Sequence, residues 1–219
     1  MGNFNFSSWQ ERIANRTDMT GMLTHLTKPT EIDLKSIDIK DEREINLRSI
    51  DNVIKILIDK KIEGSTTEKG FIVGKSAAVC FQDVPMYSLV QNVKFEQLKR
   101  GEKVLNKIRY CGVGLSFGKF YVFTKGGRPV FYEQTEKAKG ILPKEEHWRI
   151  VNIQLIPDNP IIDWTHEREW RFPKDFTFET NMTNVILYDS YCWKYFMDKC
   201  PQEIIKDIYG ITILKSVLM

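Results

Sequence analysis

Apolar positions at Leu47, Ile50, Ile54, Leu57 and Ile58 recur at helical spacing, and this period predicts a helix that Gly64 stops. Upstream, Ser8 followed by Glu11 fits a capping box, so residues 1–20 are expected to carry an N-terminal helix ahead of an extended run from Gly21 to Thr27. Between the two, Thr30 to Glu44 is polar and charge-rich with no period, and residues 30–45 read as a loop.

Further along, Ala78 to Phe81 reads as a short strand, Asp83-Val84-Pro85 as a turn, and Met86 to Leu98 as a helix with one apolar face. Val113 to Phe117, Phe120 to Phe123 and Val130 to Tyr132 are rich in β-branched and aromatic residues, which predicts three strands. The Gly126-Gly127 pair would make the hairpin connection between the last two. Trp148 to Ile156, Glu167 to Phe172 and Asn184 to Tyr188 add strands, with Pro157, Pro160 and Pro173 marking ends. Ser190 to Lys199 and Gln202 to Tyr209 read as helices, and Ile211 to Leu218 as a closing strand. Helices early and late around a strand-rich middle favour an α+β fold over an alternating βαβ plan. Neither an internal repeat nor a low-complexity tract interrupts the chain.

The 219 residues include 42% hydrophobic and 28% charged positions, which suits a packed domain and excludes a wholly disordered chain. On length, residues 1–219 are read as a single domain. A formal charge of +3, without one-sided basic runs, permits nucleic-acid contact but does not argue for it. No apolar run reaches the ~18 residues of a membrane span, so no membrane is expected and a cytoplasmic location is. Met1-Gly2 opens like a myristoylation signal, but Phe6 stands where Ser or Thr is needed. Cys80, Cys111, Cys192 and Cys200 form no CxxC pair and are expected to be reduced thiols in or near the core.

Several sites fail on spacing. In Gly112-Val113-Gly114-Leu115-Ser116-Phe117-Gly118-Lys119 the residues between the outer glycines are one too many for a phosphate loop, and Phe120 follows the lysine. Phe117 occupies the third-glycine position of a dinucleotide fingerprint. His25, His147 and His166 are scattered, so no metal site is expected.

The stretch Trp164-Thr165-His166-Glu167-Arg168-Glu169-Trp170-Arg171-Phe172-Pro173 is the most informative. As a strand it would place Glu167, Glu169 and Arg171 on one face and Trp170 and Phe172 on the other, a rigid mount for a carboxylate. The same pattern also describes a solvated strand face with a Glu–Arg pair. His25, in Leu23-Thr24-His25-Leu26-Thr27-Lys28, taken alone reads as a structural imidazole more readily than as a ligand donor.

Taken together, these runs resemble known families. The His25-Leu26-Thr27-Lys28 run, the helix ending near Gly64 and Val79-Cys80-Phe81-Gln82-Asp83-Val84-Pro85 resemble the front half of DarT-like ADP-ribosyltransferases. Arg109-Tyr110-Cys111-Gly112 through Phe117-Gly118-Lys119 and Gly126-Gly127-Arg128-Pro129-Val130-Phe131-Tyr132 look like the AbiGi group of abortive phage-resistance proteins. Glu167-Arg168-Glu169-Trp170-Arg171 is similar to the glutamate strand of both, and the resemblance covers roughly residues 21–175.

The resemblance implies an ADP-ribosyltransferase-like split β-sandwich with flanking helices, NAD as co-substrate, and a place in a phage-defence or toxin–antitoxin system. It assigns Glu169 as the carboxylate that stabilises an oxocarbenium-like ribose and Glu167 as a base for the acceptor. His25 and Thr27 would bond the dinucleotide, Arg109 or Lys119 would meet the pyrophosphate, and Tyr110 or Tyr132 would stack on nicotinamide. The acceptor would be nucleic acid or protein. The segment after Gly64, Thr66-Thr67-Glu68-Lys69, does not supply the arginine found there in the family. Two alternatives stand beside this reading: a non-catalytic abortive-infection partner or antitoxin that binds a toxin, and a structural domain in which Glu167, Glu169 and Arg171 only pair.

Overall fold

The computed structural model describes residues 5–68, 71–102, 107–157 and 160–218. The chain begins α1 (Phe6–Ala14), β1 (Met22–Leu26), α2 (Glu42–Asp59), β2 (Lys61–Ile62), β3 (Ala78–Gln82), α3 (Met86–Gly101). It continues β4 (Gly114–Gly118), α4 (Lys119–Lys125), β5 (Arg128–Pro129), β6 (Phe131–Tyr132), α5 (Thr135–Ile141), β7 (Ile150–Val151), β8 (Glu169–Pro173), β9 (Phe176–Thr177). Last come β10 (Thr183–Leu187), α6 (Ser190–Lys199), α7 (Gln202–Asp207) and β11 (Gly210–Ile213). The pairing is mostly antiparallel, so the α+β class holds. Two compact units form, the first from Met1–Leu23, Lys61–Val84 and Gly118–Thr177, the second from Thr24–Lys60, Pro85–Phe117 and Phe178–Met219.

In the first unit, β8 lies between β3 and β5, antiparallel to both, while β2 pairs with β9 and β6 with β7. One face of this sheet is aromatic. Phe176 meets Phe81 at 5.3 Å and Phe172 at 5.0 Å between ring centroids, both edge-on, the arrangement ring quadrupoles favour. The opposite face carries Cys80 beside a core of Ile72, Ala78 and Trp148.

Four expectations are corrected here. The cap of α1 is Asn5, whose side chain accepts the Ser8 N–H at 3.0 Å, so the helix starts a turn before the Ser8 box. Phe120 to Phe123 is helical, not a strand, because α4 buries Val122 inward while Phe120 and Phe123, three apart, share an exposed face. Gly126 then ends that helix in the left-handed region at φ 118°, so the Gly126-Gly127 pair is a helix stop and not a hairpin. Val130 consequently interrupts the expected strand, leaving β5 and β6 as separate pieces.

The strands around the glutamates are also shorter than expected. Trp148 to Ile156 ends a 3-10 turn (Lys144–Arg149) and continues as β7 and a single bridge of Gln154 with Ile162, while the Trp148 and Ile150 carbonyls accept from the Arg171 side chain. Glu167 is not on β8: it closes a 3-10 turn (Thr165–Glu167), and Arg168 at φ 46° breaks the two-residue alternation. The shared face therefore holds Glu169 and Arg171 without Glu167.

In the second unit, β10 pairs antiparallel with β4 and parallel with β11. Helix α2 is capped by Asp41, which accepts the Glu44 N–H at 2.9 Å, and it buries Ile45, Ile50, Val53 and Leu57 completely. Each such side chain contributes about 1.5–3 kcal/mol. The helix stops at Lys60, left-handed at φ 51°, before the expected Gly64. The polar stretch ahead of α2 contains a 3-10 turn at Asp33–Lys35, and α2 takes its last residues. Beyond β11 the chain turns into a 3-10 helix at Leu214–Leu218, where the Lys215 N–H bonds the Tyr188 carbonyl at 2.9 Å, so the closing strand is half its expected length. Helix α6 coincides with its expected span because Asp189 accepts the Tyr191 and Cys192 N–H groups at 3.0 Å each.

Candidate ligand-binding site

The register of β3 on β8 sets Cys80 opposite Arg171 and Gln82 opposite Glu169. Alternation puts these four on one face of the first unit's sheet, away from Phe81, Trp170 and Phe172. Glu169 is 7% exposed and Arg171 3%. The guanidinium holds the carboxylate with both arms, Nε to Oε1 at 2.8 Å and Nη2 to Oε2 at 3.3 Å. Its remaining donors reach the carbonyls of Trp148 at 2.8 Å, Ile150 at 3.0 Å and Phe71 at 3.5 Å. Every N–H that a guanidinium carries is therefore used inside the protein.

This network fixes the Glu169 carboxylate in space while leaving part of its accepting capacity, since the fork takes two of roughly four lone-pair sites. Tyr132 locks the backbone: its hydroxyl accepts the Glu169 N–H at 2.8 Å and lies 3.4 Å from the Trp164 carbonyl. Burial pushes the Tyr132 phenol up to about 12, with Glu169 and Glu167 adding to the rise. Burial, followed by the Glu169 charge, holds the Cys80 thiol well above its ordinary value, so Cys80 is neutral and no nucleophile. Both glutamates act on Tyr132 and Cys80, so the Glu167 charge reaches this face although its residue lies off the strand.

Asp83 joins Lys119 and Trp170, the last of which leaves β8 on the face away from Glu169. The ammonium is 2.6 Å from Asp83 Oδ1, and the Trp170 indole N–H donates to Oδ2 at 3.2 Å. Lys119 thus commits one of its three donors to Asp83. Glu169, Tyr132, Glu167 and Lys119 all belong to the first unit.

The second unit holds the other candidates. His25 is half-buried on β1, and a Cβ on Gly114 would fall 2.2 Å from its carbonyl oxygen, so only glycine lets β4 pass there. Thr27 is 3% exposed, its N–H bonds the Val113 carbonyl at 2.9 Å, and its hydroxyl has no partner; the Thr24 hydroxyl has none either. Buried hydroxyls without partners suit a ligand that supplies them. Arg109 and Tyr110 are fixed through their backbone: both N–H groups donate to Glu96, that of Tyr110 at 3.3 Å. Glu96 in turn pairs at 3.0 Å with Arg100, a fully buried residue whose other arm is forked onto Glu42 at 2.6 and 2.8 Å. The exposed Arg109 side chain and half-buried Tyr110 ring are carried on that anchored loop.

Gln82 is the residue that sequence reasoning passed over. It is 7% exposed and its amide oxygen has no hydrogen-bond partner. The only signal was a polar residue closing the apolar run Ala78-Val79-Cys80-Phe81. Among the described residues, no group of three or more His, Cys, Asp or Glu gathers as a metal site, and no helix is long and apolar enough to cross a membrane. No family model matches the chain, and neither curated proteins nor solved structures give a match.

Proposed function

We propose that the chain is an NAD-using ADP-ribosyltransferase-like protein of a phage-defence or toxin–antitoxin system, acting in the cytoplasm and transferring ADP-ribose to nucleic acid or protein. The observation that carries this reading is the Glu169 carboxylate, buried and clamped by both arms of Arg171 at the start of β8. A carboxylate fixed before the reaction stabilises developing positive charge without reorganising. As the nicotinamide–ribose bond breaks, nicotinamide leaves with the bonding pair and C1′ becomes cationic beside Glu169. The acceptor's nucleophilic atom bonds C1′, and Glu167 takes its proton. Lys119 supplies a cation for the pyrophosphate, and Tyr132 positions Glu169 through its backbone N–H.

A second reading is favoured by the completeness of the Arg171 network, which is also what a purely architectural ion pair requires. On that reading the chain keeps the fold as a non-catalytic partner or antitoxin that binds a toxin. Incubating the purified chain with NAD, with and without nucleic-acid and protein acceptors, separates the two. Release of nicotinamide supports the transferase, and NAD left intact with every acceptor supports the binding module.

A further inference from the structure

Gln82 closes β3 in direct register with Glu169, and side chains so paired stand about 5 Å apart at Cβ. Its amide oxygen is buried and unpartnered, a state that native structures rarely tolerate without a use for it. The neighbouring donors are committed elsewhere: those of Arg171 go to Glu169 and to three backbone carbonyls, and the Glu169 N–H goes to Tyr132. What the Gln82 oxygen lacks on this face is a hydrogen-bond donor.

We propose that Gln82 is a binding residue of the Glu169 face, its side-chain amide oxygen accepting a hydrogen bond from a hydroxyl of the nicotinamide ribose of NAD. This rests on the transferase reading above. If Glu169 faces C1′, the donors nearest a residue directly across the strand pair are the hydroxyls of the same ribose, with the nicotinamide carboxamide farther out and the adenine amine a pyrophosphate away. The orphaned acceptor also gives specificity, because a site built around a buried polar group rejects a ligand that leaves it unpaired.

The test uses the full chain and Gln82→Met, which keeps length and removes the amide. Thermal melts without ligand come first. Because the amide oxygen has no protein partner, Gln82→Met should melt at or above the wild type. A fall of several degrees, or failure to fold, overturns the proposal by showing that the amide is bonded within the protein. NAD and ADP-ribose are then titrated against both proteins by calorimetry. Affinity for both ligands should fall on the order of tenfold, the loss of one hydrogen bond, since both carry the ribose hydroxyls. A loss confined to NAD places Gln82 on the carboxamide and overturns the ribose assignment. Equal affinities in the two proteins overturn the role of Gln82 while the transferase reading stands. Wild type that binds neither ligand overturns that reading and this proposal with it.

Discussion

Replacing Arg171 by methionine should destabilise the first unit more than any other single change on the Glu169 face. Methionine fills much of the volume but leaves a carboxylate that is 7% exposed without its counter-charge. Removing one partner of a buried ion pair costs about 3–5 kcal/mol. The carbonyls of Trp148 and Ile150, held at 2.8 and 3.0 Å, lose their donors as well, so the upper end of that range is expected. For a chain of this size the loss corresponds to a fall in Tm of about 10 °C or more. The double variant Arg171→Met with Glu169→Met removes both charges, and most of the loss should be recovered because two apolar side chains replace a desolvated pair. Urea and thermal melts of the two single variants and the double variant close the cycle. A loss under about 1 kcal/mol for Arg171→Met, or a double variant no better than the single, would refute the buried-pair argument.

Other outcomes follow from the same structure. Burial pushes the thiols of Cys111, Cys192 and Cys200 from 9.0 to about 11. Between about 9 and 11 the native chain therefore holds more protons than the unfolded one, and stability should fall as pH rises through that window. Denaturant midpoints at pH 8 and pH 10.5 measure this; equal midpoints would contradict it. Gly126→Ala should cost about 1 kcal/mol or more, because φ 118° strains any side chain although the nearest atom, Phe172 Cε2, lies a comfortable 3.8 Å away. A melt unchanged by the alanine would show that the turn relaxes freely.

The sequence carried the helices of the second unit well because their signals are local. Asp189 begins α6, and the apolar period of α2 is long enough to define its buried face. The first unit was less legible. In α4 aromatic residues with strand propensity are overruled by the packing of Val122 and by a glycine stop, which propensity alone does not weigh. The left-handed turn at Arg168 occurs at a residue type that does not announce it, so Glu167 was placed one alternation too far into β8. The Glu169–Arg171 pair was readable as two residues sharing a face. Its anchoring to the Trp148 and Ile150 carbonyls, more than twenty residues away in the chain, was not. Nor could composition reveal that the Gln82 amide oxygen would be buried without a partner.

The central claim is that Glu169 is a catalytic carboxylate and not only half of an ion pair, and nicotinamide release by wild type and Glu169→Gln tests it most directly. Glutamine keeps the shape, and its amide oxygen can still accept from one arm of Arg171, but the buried guanidinium loses its counter-charge, so a lower Tm is expected and melts with circular dichroism establish that the variant is folded at the assay temperature. It removes the charge that stabilises the ribose cation, a contact that operates in the transition state far more than in the ground state. The account predicts that wild type releases nicotinamide, and that the folded variant binds NAD with similar affinity but turns over about a hundredfold more slowly or less. Wild-type rates from folded Glu169→Gln, or no release by wild type with any acceptor, would contradict it.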